Sequence, residues 1–288
     1  MRIANLSGRL VILDGDLAVD VERASDGAFS SNPQAVYERW HEFVLWASTH
    51  DASTGAPYAA SDLGPAVPRP PQVFAIGLNY ASHAGESGLK VPENPMVFTK
   101  FVSSFAGADV DVELTGDTVD WEVELVAVVG EGGRNIAEAD AWNHVAGLTI
   151  GQDISDRTVQ FWGEPAQFSI GKSLKGFAPI GPAVVTLDEI DAVAERSDLS
   201  IGCTLTRTDG TTEVLQNGRT RDMIFSVPVL IAKLSALVEL LPGDVIFTGT
   251  PDGVGLGRTP RVYLEPGQSV TSEIEGLGSI RQRFVAGR

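Results

Sequence analysis

Residues 120–130 read Asp-Trp-Glu-Val-Glu-Leu-Val-Ala-Val-Val-Gly, an apolar, β-branched run interrupted by Glu122 and Glu124. Such a run predicts a strand, and strand side chains alternate between faces with period two. Glu122 and Glu124 therefore point the same way. Two like charges on one face of an apolar strand repel each other and lose hydration, so a positive partner is required between them. A divalent cation would supply it, and Asp153, in Gly151-Gln152-Asp153-Ile154-Ser155-Asp156-Arg157, offers a third carboxylate. Three carboxylates without a cysteine suit a hard ion such as Mg²⁺, Mn²⁺ or Ca²⁺, with positions left open for water and substrate. The plain alternative for a Glu-x-Glu is the solvated face of an edge strand. The other motifs of the chain weigh against it.

With 288 residues, 43% of them hydrophobic, the chain can bury a full core, as one large domain or two smaller ones. No segment approaches the roughly 18 to 20 uninterrupted apolar residues of a membrane span. The start, Met1-Arg2-Ile3-Ala4-Asn5, lacks a signal-peptide core, so a cytoplasmic location is expected. Cys203 is the only cysteine, which excludes disulfide scaffolds and multi-cysteine zinc sites. It lies in a strand-like run and reads as buried filler. A net charge of -17 argues against nucleic acid as a partner, since phosphate recognition needs a basic footprint. Local clusters of Lys and Arg become more telling against that acidic background.

Residues 1–65 read as a small N-terminal α+β domain and 66–288 as the main domain. Leu10-Val11-Ile12-Leu13 predicts a strand. Asn32-Pro33-Gln34 predicts a helix start, and Val36, Trp40, Phe43, Val44 and Ala47 follow at helical spacing. Pro65, Pro68, Pro70 and Pro71 mark the boundary. Strand-like runs then recur at 73–77, 96–100, 122–129, 183–185, 199–206, 245–248 and 270–274. A clear helix begins near Ser226, carries Ile231, Leu234, Leu237, Val238 and Leu241 at helical spacing, and should stop at Pro242-Gly243. Strands outnumber helices and do not alternate with them, which predicts a β-rich α+β roll rather than a doubly wound sheet.

Further motifs bear on chemistry. Gly77-Leu78-Asn79-Tyr80-Ala81-Ser82-His83-Ala84-Gly85-Glu86 follows a strand and sets His83 and Glu86 one helical turn apart. A Glu so placed can orient the imidazole while it takes a proton from water, and the glycines nearby fit a lid. Lys172 and Lys175 stand in a glycine- and proline-punctuated segment, where a fixed ammonium near a metal can stabilise an oxyanion or enolate. Arg157 and Gln160 follow Asp153 closely. Thr248-Gly249-Thr250-Pro251-Asp252-Gly253-Val254-Gly255 lacks the Gly-Lys-Ser/Thr ending of a phosphate loop. It reads instead as a tight turn presenting backbone N–H groups and the Thr250 hydroxyl to a carboxylate. His41 and His50 read as solvated helix residues and His144 as structural, and no serine triad can be assembled.

Taken in order, Gly77 to Tyr80 with His83 and Glu86, the Asp120 to Leu125 strand, Asp153 to Gln160, Lys172-Ser173, Gln216 to Phe225, and Thr248 to Gly255 resemble the fumarylacetoacetate hydrolase superfamily over roughly residues 70–285. The resemblance implies a mixed β-sandwich roll, a homodimer and a Mg²⁺ or Mn²⁺ site. It assigns Glu122, Glu124 and Asp153 as metal ligands, His83 and Glu86 as a water-activating dyad, and Lys172 as the enolate stabiliser. Lys100, Arg157, Gln160 and Thr250 match positions near a small anionic 2-oxo acid substrate. Two segments depart from the family pattern: Lys175-Gly176, and Arg219-Thr220-Arg221 before Asp222. The added positive charge, in segments that the resemblance places close to the site or the dimer interface, predicts tolerance of an extra anionic group. The activity expected is hydrolysis of a carbon-carbon bond in an acylpyruvate or related β-diketo acid. The alternatives are decarboxylation of an oxaloacetate-type 2-oxo acid, isomerisation of a 2-hydroxy-diene-dioate, and a binding protein without catalysis.

Overall fold

A computed structural model of the chain describes residues 1–49, 54–82 and 92–287. Among these, two main sheets carry the architecture. The larger has 11 strands, in the order Ala56–Pro57, Leu17–Asp20, Arg9–Asp14, Arg2–Leu6, Ala178–Val185, Val145–Gln152, Val123–Val129, Val245–Phe247, Val73–Gly77 and Met96–Phe98, with Phe105–Ala106 paired beside Ala178–Val185. The smaller has 5, in the order Thr212–Arg219, Ser200–Thr206, Ser269–Ile274, Gly278–Val285 and Asp109–Glu113. Both sheets are mixed. Val245–Phe247 runs parallel to Val73–Gly77, and Gly278–Val285 parallel to Asp109–Glu113, while most other pairs are antiparallel. This is the β-rich α+β architecture that the pattern of runs predicts.

The strand Val123–Val129 lies at the centre, between Val145–Gln152 and Val245–Phe247, and every one of its residues is buried. Its alternation is real but has no solvated side. Val123, Leu125, Ala127 and Val129 enter one core with Trp121, Leu148, Ile201 and Leu230. Val126 and Val128 enter another with Ile3, Leu10, Phe43 and Phe247. Glu122 and Glu124 belong by parity to this second side, so the edge-strand alternative is excluded by position in the sheet. A strand covered on both faces reads as a continuous apolar run, and any carboxylate in it is forced into the interior.

The leading 65 residues extend this same sheet, with Arg2–Leu6 antiparallel to Ala178–Val185. The proline-rich connector also packs down: Ala66 and Val67 are buried, and the Ala66 N–H donates to the Ile180 carbonyl at 3.1 Å. The predicted helix after Pro33 forms as a 3-10 turn, Ala35–Arg39, running into the α-helix Trp40–Ala47.

The later helix spans Val227–Leu237 and ends five residues before Pro242. Leu240 leaves helical geometry because it pairs with Gly133, each N–H donating to the other's carbonyl at 2.9–3.0 Å. Leu240 is consequently the buried residue of the helix's exit, and Leu237 is 80% exposed. Local apolar spacing therefore lost to a tertiary backbone pair. No helix among the described residues is long and apolar enough to cross a membrane.

Candidate active site

The antiparallel register pairs Val123 with Gln152 and Glu124 with Gly151. One step further out, the Asp153 N–H donates to the Glu122 carbonyl at 2.9 Å, which sets Asp153 across from Glu122. Directly opposed side chains in a sheet are neighbours, and the diagonal one is within reach. Opposite Glu124 stands Gly151, where a Cβ would meet Phe247 and Val126 at 2.5 and 2.7 Å. As a result, Glu122, Glu124 and Asp153 each offer an oxygen within 4.8 Å of the others. All three are buried. Hard oxygen donors converging this closely, away from solvent, fit a Mg²⁺ or Mn²⁺ ion.

Cations of the chain surround the triad. Lys172 Nζ donates to Glu122 Oε2 at 2.9 Å, Asp153 Oδ2 at 2.6 Å and Ser155 Oγ at 2.9 Å. It reaches them from the end of the short helix Phe168–Gly171, which packs against the helix Arg157–Gln160. A Cβ on Gly171 would lie 2.6 Å from the Gln160 nitrogen, so this approach requires glycine. Lys100 Nζ donates to Asp153 Oδ1 and to the Lys172 carbonyl. Arg157 is bidentate on Asp120 Oδ2 at 2.8 and 2.7 Å, and reaches Glu122 Oε1 at 2.7 Å and Gln160 Oε1 at 2.8 Å.

Burial of Glu124, followed by the charges of Asp153 and Glu122, pushes its carboxyl well above the usual range. A divalent ion in the triad would reverse that effect, which is a second sign that the donor set fits one.

The glycine-rich segment does present N–H groups to carboxylates, and these are the chain's own. Gly249 N–H donates to Glu124 Oε2 at 2.7 Å, while Gly255 and Leu256 N–H donate to Asp120 at 2.7 and 2.9 Å. The Thr250 hydroxyl donates to the Val123 carbonyl at 2.8 Å and accepts from Gln216 Nε2 at 2.7 Å. Asn79 fixes the turn before the predicted dyad. Its Oδ1 accepts from Phe225 N–H at 2.7 Å, and its Nδ2 donates to the carbonyls of Thr248 and Phe225 at 2.7 and 2.9 Å.

A cavity of about 590 Å³ opens at this cluster. Of the residues expected at the site, Glu122, Arg157, Gln160, Lys172 and Thr250 line it. Phe98, Phe161 and Phe168 form an aromatic wall, with Lys172 Nζ 5.2 Å from the Phe98 ring centre. Lys100 is absent from the lining. Its side chain is fully enclosed and bound to Asp153, so it holds that carboxylate in place.

His83 and Glu86 lie outside the described residues. None of the extra cations stands in the cavity wall: Arg219 and Arg221 pair with Asp198 at 2.5 and 2.9 Å, and Lys175 is exposed. Sequence reasoning missed Asp120, Asn79, Arg261 and Tyr263. Asp120 had a signal, since it continues the every-second-residue carboxylates of 120, 122 and 124.

The fumarylacetoacetate (FAA) hydrolase C-terminal family model matches residues 72–285. The human oxaloacetate tautomerase FAHD2A, mitochondrial, is 44% identical over 221 residues, covering 76% of this chain and 68% of that one. The crystal structure of a putative HpcE protein from Mycobacterium smegmatis superposes with a TM-score of 0.92 at 49% identity, covering all of both chains. That of maleylpyruvate hydrolase from Sphingobium sp. SYK-6, in complex with manganese (II) ion and pyruvate, superposes at 0.78 with 26% identity over the full length of both. With the family match running through nearly all of the chain beyond its leading segment, and this mixed-sheet architecture shared end to end, the protein belongs to the fumarylacetoacetate hydrolase family.

Proposed function

We propose that the chain is a Mg²⁺- or Mn²⁺-dependent enzyme that carries a small 2-oxo acid through its enolate, with enol-to-keto conversion of oxaloacetate as the leading reaction. The observation that carries this reading is the buried triad Glu122, Glu124 and Asp153, joined by Lys172 to a cavity of about 590 Å³. The names of relatives support it: oxaloacetate tautomerase in one case, and a hydrolase holding manganese and pyruvate in another. A bound ion would supply Lewis-acid polarisation of the 2-oxo group.

The chain's own residues do the rest. In the tautomerisation the enol hydroxyl gives up a proton and the adjacent carbon gains one, so negative charge passes through the oxygen. Lys172 Nζ, fixed by three bonds, is already in place to face that charge and needs no reorganisation. Arg157 and Gln160 orient the acid, while Phe98, Phe161 and Phe168 keep water from the reacting carbon. His83, steadied by Glu86, is the group assigned to move the proton.

A second reading, hydrolysis of a carbon-carbon bond in an acylpyruvate, is favoured by that same His-x-x-Glu pair, whose spacing suits activation of water. Oxaloacetate in its enol form, acetylpyruvate and fumarylpyruvate, each assayed with Mg²⁺, with Mn²⁺ and with chelator, test both. Chelator-sensitive loss of the enol absorbance without carbon-carbon cleavage is the expected result. Chelator-sensitive cleavage of an acylpyruvate would favour the second reading, and no chelator-sensitive turnover of any of them would overturn both.

A further inference from the structure

Among the described residues, the cavity wall holds one cation that the metal cluster does not use. Lys172 and Arg157, which also line it, are neutralised by Glu122, Asp153 and Asp120. Arg261 lines the same cavity, is exposed, and forms no hydrogen bond or ion pair among the described residues. Most guanidinium groups on this chain of net charge -17 find a carboxylate: Arg9 takes Asp20, Arg258 takes Glu213, and Arg283 takes Asp109 and Asp111. A free guanidinium on an acidic protein, set in the wall of an open cavity, is placed to take an anion from outside.

The segment that carries it is held at both ends. Gly255 and Leu256 N–H groups are bound to Asp120, Val262 N–H donates to the Gly255 carbonyl at 3.2 Å, and Leu264 N–H donates to the Val119 carbonyl at 2.9 Å. A Cβ on Gly255 would run into the Val262 carbonyl, so the two arms of this loop pack too closely for any larger residue. Asp120 therefore ties the Arg261 loop to Arg157 and, through it, to Glu122. Tyr263, on the same loop, also lines the cavity.

We infer that Arg261 selects the substrate: it holds a carboxylate at the end of a 2-oxo dicarboxylic acid remote from the 2-oxo group. This deepens the preceding reading and rests on it. The extra anionic group that the sequence departures predicted is thereby accommodated at Arg261, and not at Lys175, Arg219 or Arg221.

Matched ligands that differ only in the remote group provide the test: 2-oxoglutarate against 2-oxopentanoate, and 2-oxoadipate against 2-oxohexanoate. Each is titrated calorimetrically into the Mn²⁺-loaded full chain, wild type, R261Q and R261K. In the wild type at least one diacid should bind about tenfold more tightly than its monoacid partner. R261Q should bring that ratio close to one while leaving monoacid and Mn²⁺ affinities unchanged, and R261K should restore part of it. A ratio near one in the wild type, or a ratio that survives in R261Q, would overturn the role of Arg261 while leaving the 2-oxo acid reading intact. If neither monoacids nor diacids bind the Mn²⁺-loaded protein, the 2-oxo acid reading itself fails and the inference falls with it.

Discussion

Lys172 and Lys100 are the same side chain within one cluster, and their surroundings drive them apart. Burial pushes Lys100 down, and its contact with Asp153 does not make up the loss. Burial also works against Lys172, but Asp153 and Glu122 together outweigh it and raise its pKa, so it remains an ammonium throughout the neutral range. One lysine holds a carboxylate in place and the other presents charge to the cavity. Replacing Lys172 with Met should lower kcat on oxaloacetate by about 10²- to 10³-fold, the usual loss on removing one prearranged stabiliser of a developing oxyanion. Steady-state kinetics on Mn²⁺-saturated enzyme would measure it, with near-ultraviolet circular dichroism confirming that the fold persists. A fall of less than threefold would remove Lys172 from the reaction.

At the level of elements, the strand Val123–Val129 and the turn Thr248–Gly249 form one unit, because Gly249 N–H holds Glu124 and Thr248 N–H donates to the Leu125 carbonyl at 3.0 Å. Gly249 has φ +90, and a Cβ there would lie 2.7 Å from the Asn79 Cβ. Gly249→Ala should therefore destabilise the protein by about 1–3 kcal/mol, measured as a lower urea midpoint, and should weaken Mn²⁺ binding as well. Unchanged stability would mean that the turn relaxes freely.

The strand and its two glutamates were legible in sequence because composition and period act within one element, and Asp153 joined them through a motif nearby in the chain. The partners of Asp120 and Asn79 were not legible. The backbone groups among them, Gly255 and Leu256 for Asp120 and Phe225 and Thr248 for Asn79, lie more than 130 residues away, and no local pattern encodes which N–H or carbonyl will meet which side chain. The end of the helix Val227–Leu237 was misjudged for the same reason, since the competing partner, Gly133, is remote in sequence. Nothing in the local sequence marks Arg261, which the fold places on the cavity wall.

For the whole molecule, metal and fold are linked through mass action. Mn²⁺ at a hundredfold excess over its Kd should stabilise the folded state by about 2.7 kcal/mol, seen as a rise in Tm that chelator abolishes. Glu124→Gln should remove most of that rise, because an amide brings no charge to the ion; an equal rise in the variant would place the ion elsewhere. Four carboxylates, Asp120, Glu122, Glu124 and Asp153, meet three cations, Lys100, Arg157 and Lys172, inside one buried cluster. An arriving divalent ion therefore encounters a nearly balanced interior, with about one net negative charge when all seven groups are ionised. Such a slot holds its ion through a small excess of negative charge, so that each carboxylate of the triad counts. The cofactor should then exchange readily with the surrounding medium, and the enzyme's output should follow the free metal concentration of the compartment in which it works.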